Sequence, residues 1–317
     1  MKTPSLHQTP SRQAGFNLVE LMISMLLGLL VVGAAIGIFL SNRKTYTTTE
    51  GLSRVQESAR IAFEMMARDI REAGGNSCDS GLPVVNVLSN PTADWWRNWA
   101  QPLRGFDNGS LGGNSKAGTD AVQILSAGTG GATVIAHDAA AQTLTLSAAS
   151  PDLHANAVML LCDRQQLAVL QANGVSGTSV TYASGALNAC NRLGRLPGAC
   201  VAGSNNYTYE MNSLLTELRA VQWYVADNAR GTSLYQTVLG PGGVATHEIA
   251  EGVSNLKFEY LQAKKNTYEK AGTISDWSNV VAVKIIMTVN SGSSMGSNNA
   301  PLSRDIATIV SIRNRNS

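Results

Sequence analysis

Residues 14–40 read AGFNLVELMISMLLGLLVVGAAIGIFL, and Glu20 is the single ionisable side chain among the 25 residues 16–40. At about 1.5 Å rise per residue, a helix of that length reaches roughly 37 Å, enough to cross a hydrocarbon core about 30 Å thick with some tilt. The core helix of a soluble domain keeps a polar face, which this stretch lacks. A secretory signal has a shorter apolar run, about 7–15 residues, with small residues after it. Here the small residues, Ala14 and Gly15, come first. A cut after Gly15 would discard only the polar leader and leave the apolar helix on a mature chain beginning at Phe16.

Glu20 would then be the fifth mature residue. A carboxylate inside a membrane segment costs about 2.5–3.5 kcal/mol at the centre, less near an interface, and marks function. The cation that such a cut creates is the N-terminal ammonium of Phe16. It lies one helical turn away in the same chain, or on a neighbouring chain packed alongside with an axial offset. Gly15-Phe16 followed by Leu18, Val19, Glu20, Leu21 and Met22 resembles the signal shared by type IV prepilins and type II secretion pseudopilins. The resemblance implies cleavage after Gly15 by a prepilin peptidase and N-methylation of Phe16. It also implies pairing of Glu20 with the N-terminal amine of an adjacent subunit.

The chain has 317 residues and a formal net charge of +2, so removal of the leader leaves room for one large domain or two small ones. Basic residues are scattered, and no nucleic-acid partner is expected. Lys2 and Arg12 precede the apolar run and Arg43 and Lys44 follow it, so charge alone does not set the orientation. The four cysteines, Cys78, Cys162, Cys190 and Cys200, all lie beyond the run, and an even set in an exported domain reads as disulfides. Four cysteines allow three connectivities. The turn-rich stretch NRLGRLPGA between Cys190 and Cys200 favours pairing those two, which leaves Cys78 with Cys162.

After a Thr-rich stretch, residues 41–51, that reads as a soft hinge, the chain becomes amphipathic. Leu52, Val55, Ala59, Ala62, Phe63, Met66, Ile70 and Ala73 fall at three- and four-residue steps, one helical stripe expected to face a sheet. Arg60, Glu64, Arg68 and Glu72 make an alternating ladder on another face, and Gly74 and Gly75 end the helix. Beyond Cys78, residues 120–127, 142–148, 157–161, 166–171, 178–183, 219–227, 255–262 and 279–289 read as strands between turns. A helix followed by many short strands, with no βαβ alternation, predicts an α+β domain with an antiparallel sheet. Gly112, Gly113, Gly128, Gly130 and Gly131 are expected in flexible loops, and residues 291–301 read as a mobile loop before a last strand.

The sequence offers little chemistry. His137, His154 and His247 are isolated, with His247-Glu248 expected as a surface pair, and no HExxH, CxxC, GxSxG or GxxxxGK[ST] occurs. Neither a metal set nor a cofactor site is expected, and the chain does not read as an enzyme. DWWRNW, residues 94–99, places Trp95, Trp96 and Trp99 close together, more as a plug packed on the sheet than as a sugar or partner site.

The spine LSRVQESARIAFEMMARDIREAG, PLRGFDN (102–108), AGTDAVQIL (117–125), EIAEGVSNLKFEY (248–260), VVAVKIIMTV (280–289) and IRNR (312–315) resemble the PilW family of type IV pilus minor pilins. That resemblance implies a pilin-like fold: leader 1–15, transmembrane helix 16–40, amphipathic spine 41–75, and a periplasmic β-rich head 76–317. It implies a low-abundance subunit of a priming complex that initiates the pilus and sits at its tip. Its partners would be other minor pilins, the major pilin, a PilY-type adhesin, the prepilin peptidase and the inner membrane. Two other readings stay open here: a type II secretion pseudopilin, and a membrane-anchored periplasmic enzyme or sugar-binding module.

Overall fold

A computed structural model of the chain describes residues 15, 17–79, 81–196, 198–201, 203, 205–290 and 303–315. Phe16, most of the expected leader and the expected loop 291–301 lie outside the described residues. The chain divides into two compact units, Met1–Glu50 and Gly51–Ser317.

One helix, α1, runs Leu18–Arg71, 54 residues. It passes without a break through the Thr-rich stretch that the sequence suggests as a hinge. There Thr45 Oγ1 donates to Ser41 O at 3.1 Å and Thr49 Oγ1 to Thr45 O at 2.9 Å. The hydroxyls return to the carbonyls of their own preceding turn, so the stretch carries its polarity within the helix. At the other end Gly74 takes φ 72°, and its N–H donates to Leu125 O at 2.8 Å. That left-handed residue turns the chain out of the helix. Ala59, Ala62, Phe63, Met66, Ile70 and Ala73 of the expected stripe are buried, and so is Ala67, while the side chains of Leu52 and Val55 lie outside the described residues. Of the charged ladder, Arg68 and Glu72 pair at 3.5 Å on the surface.

The rest is sheet. The strands are β1 (Val84–Asn86), β2 (Leu103–Phe106), β3 (Ala121–Ala127), β4 (Ala132–Asp138), β5 (Thr143–Leu146), β6 (Val158–Cys162), β7 (Leu167–Gln171) and β8 (Gly174–Ser176). They continue as β9 (Ser179–Thr181), β10 (Ser213–Asn228), β11 (Gly231–Gly240), β12 (Gly243–Glu251), β13 (Val253–Gln262), β14 (Tyr268–Glu269), β15 (Val280–Asn290) and β16 (Ser303–Ser311). Twelve of them form one sheet in the order β1-β7-β6-β10-β4-β5-β9-β8, with β3 and β2 and then β11 and β12 branching from β10. A second sheet has the order β14-β13-β15-β16. All pairings are antiparallel except β1 with β7. The large sheet branches because β10, at 16 residues, outlasts any one neighbour. It pairs β6 through Leu214–Glu217 and β11 through Val221–Asn228.

The spine stripe shares one apolar core with Leu103, Val122, Ile124, Val221, Trp223 and Val225 of the large sheet and with Leu256, Phe258, Ile285 and Met287 of the small one. Both sheets therefore pack on the same helix. Elsewhere β6 and β7 are buried on both faces: Met159, Leu161, Ala168 and Leu170 enter one core, Val158, Leu160, Leu167 and Val169 another. This is why their sequences are apolar throughout and do not alternate. The expected flexible glycines include three that are tightly packed. A Cβ on Gly130 would lie 2.2 Å from Asp152 and one on Gly131 2.7 Å from Leu215 O, while Gly128 N–H donates to Glu217 O at 2.8 Å. The β3–β4 connection thus needs glycine for close approach.

Candidate functional site

Residues Leu18–Tyr46 form a segment of 29 residues, containing a stretch of mean hydropathy 2.6, long and apolar enough to cross a membrane, and none of it is buried. Leu18, Leu29 and Phe39 are 74%, 79% and 66% exposed, so the chain itself supplies no cover for this surface. Glu20 lies in the first helical turn, where a carboxylate faces the positive end of the helix dipole. It has no ion-pair partner among the described residues. Leu21 N–H donates to Asn17 O at 3.2 Å, so regular helix geometry begins just after the expected cleavage point. Gly15 has nothing within 4 Å of the position its Cβ would take, and its partner at the scissile bond, Phe16, lies outside the described residues.

In the second unit the spine is fastened by a carboxylate. Asp69, 4% exposed, accepts from Arg219 through Nε at 3.2 Å and Nη2 at 2.9 Å. Its other oxygen accepts from Trp223 Nε1 at 2.9 Å and Gln236 Nε2 at 3.1 Å. Four charge-assisted bonds thus tie α1 to β10 and β11. The sequence reading missed this site. The available signal was an aspartate set among Met66, Ile70 and Ala73 on the buried stripe, a place that demands a partner. A second buried carboxylate, Asp120, ties the sheets together. It accepts from Asn108 N–H at 3.0 Å, Lys257 Nζ at 3.2 Å and Phe258 N–H at 3.0 Å.

Two disulfides join Cys78 to Cys162 and Cys190 to Cys200, with Cα separations of 6.2 and 5.4 Å. The first ties the segment after the spine to the end of β6; the second closes a turn. The tryptophan cluster packs on the sheet: Trp99 is buried, and Trp95 and Trp96 are partly buried against the same apolar cluster, which includes Leu125, Leu160 and Leu218. Arg97 sits 4.8 Å from the Trp96 ring centre and pairs with Asp94 at 2.7 Å.

The histidines are less isolated than the sequence suggests, because their partners are distant in the chain. His154 Nδ1 lies 2.9 Å from Glu217 Oε1, on an open cavity of about 430 Å³ that Asp69, Arg219, Asp152 and Arg68 also line. The cavity lining carries the hydroxyl of Thr129 but no serine or cysteine. His137 is buried against Tyr182 and Tyr209. His247 is exposed, whereas Glu248 beside it bonds Arg230, Ser233 and Asn228, and the Ser233 bond chiefly holds its carboxyl below the usual range. No group of three or more metal-ligating side chains occurs among the described residues.

Two family models match the chain. One, Prokaryotic N-terminal methylation motif, matches residues 10–36, which include Gly15, Phe16 and Glu20. The other, Type IV Pilus-assembly protein W, matches residues 222–310, from within β10 to within β16. That second region supplies much of the surface on which the spine packs, including Trp223, Leu234, Phe258 and Ile285. No curated protein and no solved structure matches. A methylation-type start on its apolar helix and a pilus-assembly protein W region in its sheets together support a PilW-type minor pilin of the type IV pilus.

Proposed function

We propose that this minor pilin is held in the inner membrane by residues 16–40 after a prepilin peptidase removes residues 1–15 and Phe16 is methylated. Residues 41–75 then act as the spine and residues 76–317 as a periplasmic head. The subunit joins other minor pilins and the major pilin in a priming complex that starts the filament and stays at its tip with a PilY-type adhesin. Its work is assembly and not turnover. The observation that carries the reading is the exposed apolar run up to Leu40 within the candidate membrane span, with one carboxylate in its first turn. Two disulfides agree with a head in an oxidising compartment.

In assembly, Glu20 answers the N-terminal ammonium of a neighbouring subunit. Such a pair forms in a low-dielectric setting, where loss of one partner strands the other charge at a cost of several kcal/mol. Glu20→Gln should therefore insert at least as readily as the wild type and be processed normally, yet crosslink poorly to its copurifying pilins and reduce piliation. Wild-type crosslinking and piliation in the Glu20→Gln strain would overturn the intersubunit role.

A further inference from the structure

Strand β4 carries a buried side chain that assembly does not use. His137 is 9% exposed. Its Nδ1 accepts the backbone N–H of Tyr209 at 2.9 Å, and its Nε2 lies 2.7 Å from Tyr182 Oη. A ring nitrogen that accepts carries no proton, so the imidazole is neutral, with its hydrogen on Nε2 and directed at Tyr182. Tyr209 belongs to the segment 205–212, which leads from the loop closed by Cys190–Cys200 into β10. The same network reaches that loop, because Gln166 Nε2 donates to Tyr209 Oη at 2.9 Å and to Leu193 O at 2.6 Å. Tyr207 Oη donates to Asp163 Oδ2 at 2.5 Å, and its ring meets that of Tyr209 edge-on at 4.9 Å.

We propose that His137 is a pH-sensitive latch on this face of the head. Neutral, it pins the segment 205–212 to β4. A proton on Nδ1 turns an acceptor into a donor aimed at the Tyr209 N–H, and the segment and its disulfide-closed loop come free. The charged groups around the ring are few and mostly engaged. Asp138, on β4 itself, accepts from the Ala140 and Ala141 N–H groups. Beyond the tyrosines stand Asp163, Glu210 and Arg195, which act on Tyr207. Tyr182, pushed up to about 12 chiefly by burial, stays neutral over the range that matters.

Burial holds His137 below its ordinary value, with Asp138 opposing as the smaller effect. A histidine depressed in the folded state binds its proton more readily once released. Its contribution to stability is therefore complete above the unfolded value, about 6.5, and is lost as pH falls from there toward the folded value.

The test is amide hydrogen exchange of the full-length protein in detergent micelles, followed at peptides covering 205–212 from pH 8 to about pH 4 and corrected with an unstructured reference peptide. Protection should be level above about pH 6.5 and fall by up to tenfold per unit below it, roughly thirtyfold at most by pH 5. Peptides of β13 and β15 should stay protected. His137→Asn places a non-titrating amide oxygen near the position of Nδ1 and should abolish the fall. Protection that stays level in the wild type, or that falls only below pH 5 where carboxylates titrate, overturns the latch. So does an equal fall in His137→Asn. Should that variant not fold, the pH of onset in the wild type decides alone.

Discussion

Asp69→Ala should loosen the spine from its sheets. The carboxylate accepts two bonds from Arg219 and one each from Trp223 and Gln236. Trp223 is fully buried and Gln236 is 5% exposed, so water cannot replace the lost acceptor at either donor. Each buried donor left unpaired costs about 1–3 kcal/mol. The Arg219 side chain is 32% exposed and can partly rehydrate, which places its share at the low end. Together the losses come to about 3–5 kcal/mol, the range for removing one partner of a buried ion pair. Asp69→Asn keeps the volume and should lose at least half as much, which separates acceptor loss from cavity formation.

The assay is urea unfolding of the full chain in micelles, read by tryptophan fluorescence, with hydrogen exchange over residues 59–73 as a local report. Unfolding midpoints should fall for both variants and exchange should rise along the spine. If both variants stay within about 1 kcal/mol of wild type, the Asp69 network carries none of the attachment assigned to it.

Removing Cys78–Cys162 with paired serines should destabilise the head more than removing Cys190–Cys200, because their sequence separations are 84 and 10. The chain-entropy model gives about 4.6 and 2.8 kcal/mol as upper values, and the reverse order of urea midpoints would contradict it. Gly105→Ala would put a Cβ 2.1 Å from Tyr260 Oη, on a ring already set edge-on to Trp277 at 4.8 Å. The expected loss is about 1–3 kcal/mol or more, and a thermal midpoint equal to wild type would show that the strand can shift freely.

Features with a periodic signature were legible in the sequence. From Ala59 on the spine stripe buries as its spacing predicts, and β13 and β15 alternate buried with partly exposed residues as amphipathic strands should. β12 carries no such signature because Gly243–Glu248 is exposed on both faces, so its residues obey no inside–outside rule. The hairpin it forms with β11 turns at Pro241-Gly242, a turn signal present in the sequence that the strand reading did not use. The Thr-rich stretch misleads for a different reason. Threonine disfavours helices on average, yet Thr45 and Thr49 bond back to their own helix. Asp69 and His137 were least visible, since Arg219 lies 150 residues from the one and Tyr209 72 from the other. No local pattern announces a contact at that range.

The division of labour along α1 explains why a single carboxylate carries so much of the proposed assembly. From residue 21 to residue 40 the helix offers almost only apolar surface, and lipid tails are as apolar as the side chains of a neighbouring pilin helix. Moving that surface from bilayer to filament core changes hydrophobic burial little, so burial alone cannot drive or direct the transfer. Packing of small residues such as Gly33 and Gly37 lets helices approach, but it does not fix how far one subunit sits along the next. A charge pair does both. An unpaired carboxylate is costly in lipid, the cost falls when a neighbour's ammonium reaches it, and the distance between the two groups sets the axial offset. Beyond the apolar half the logic reverses. From Ala59 onward the helix is committed to its own sheets through a buried stripe and through Asp69.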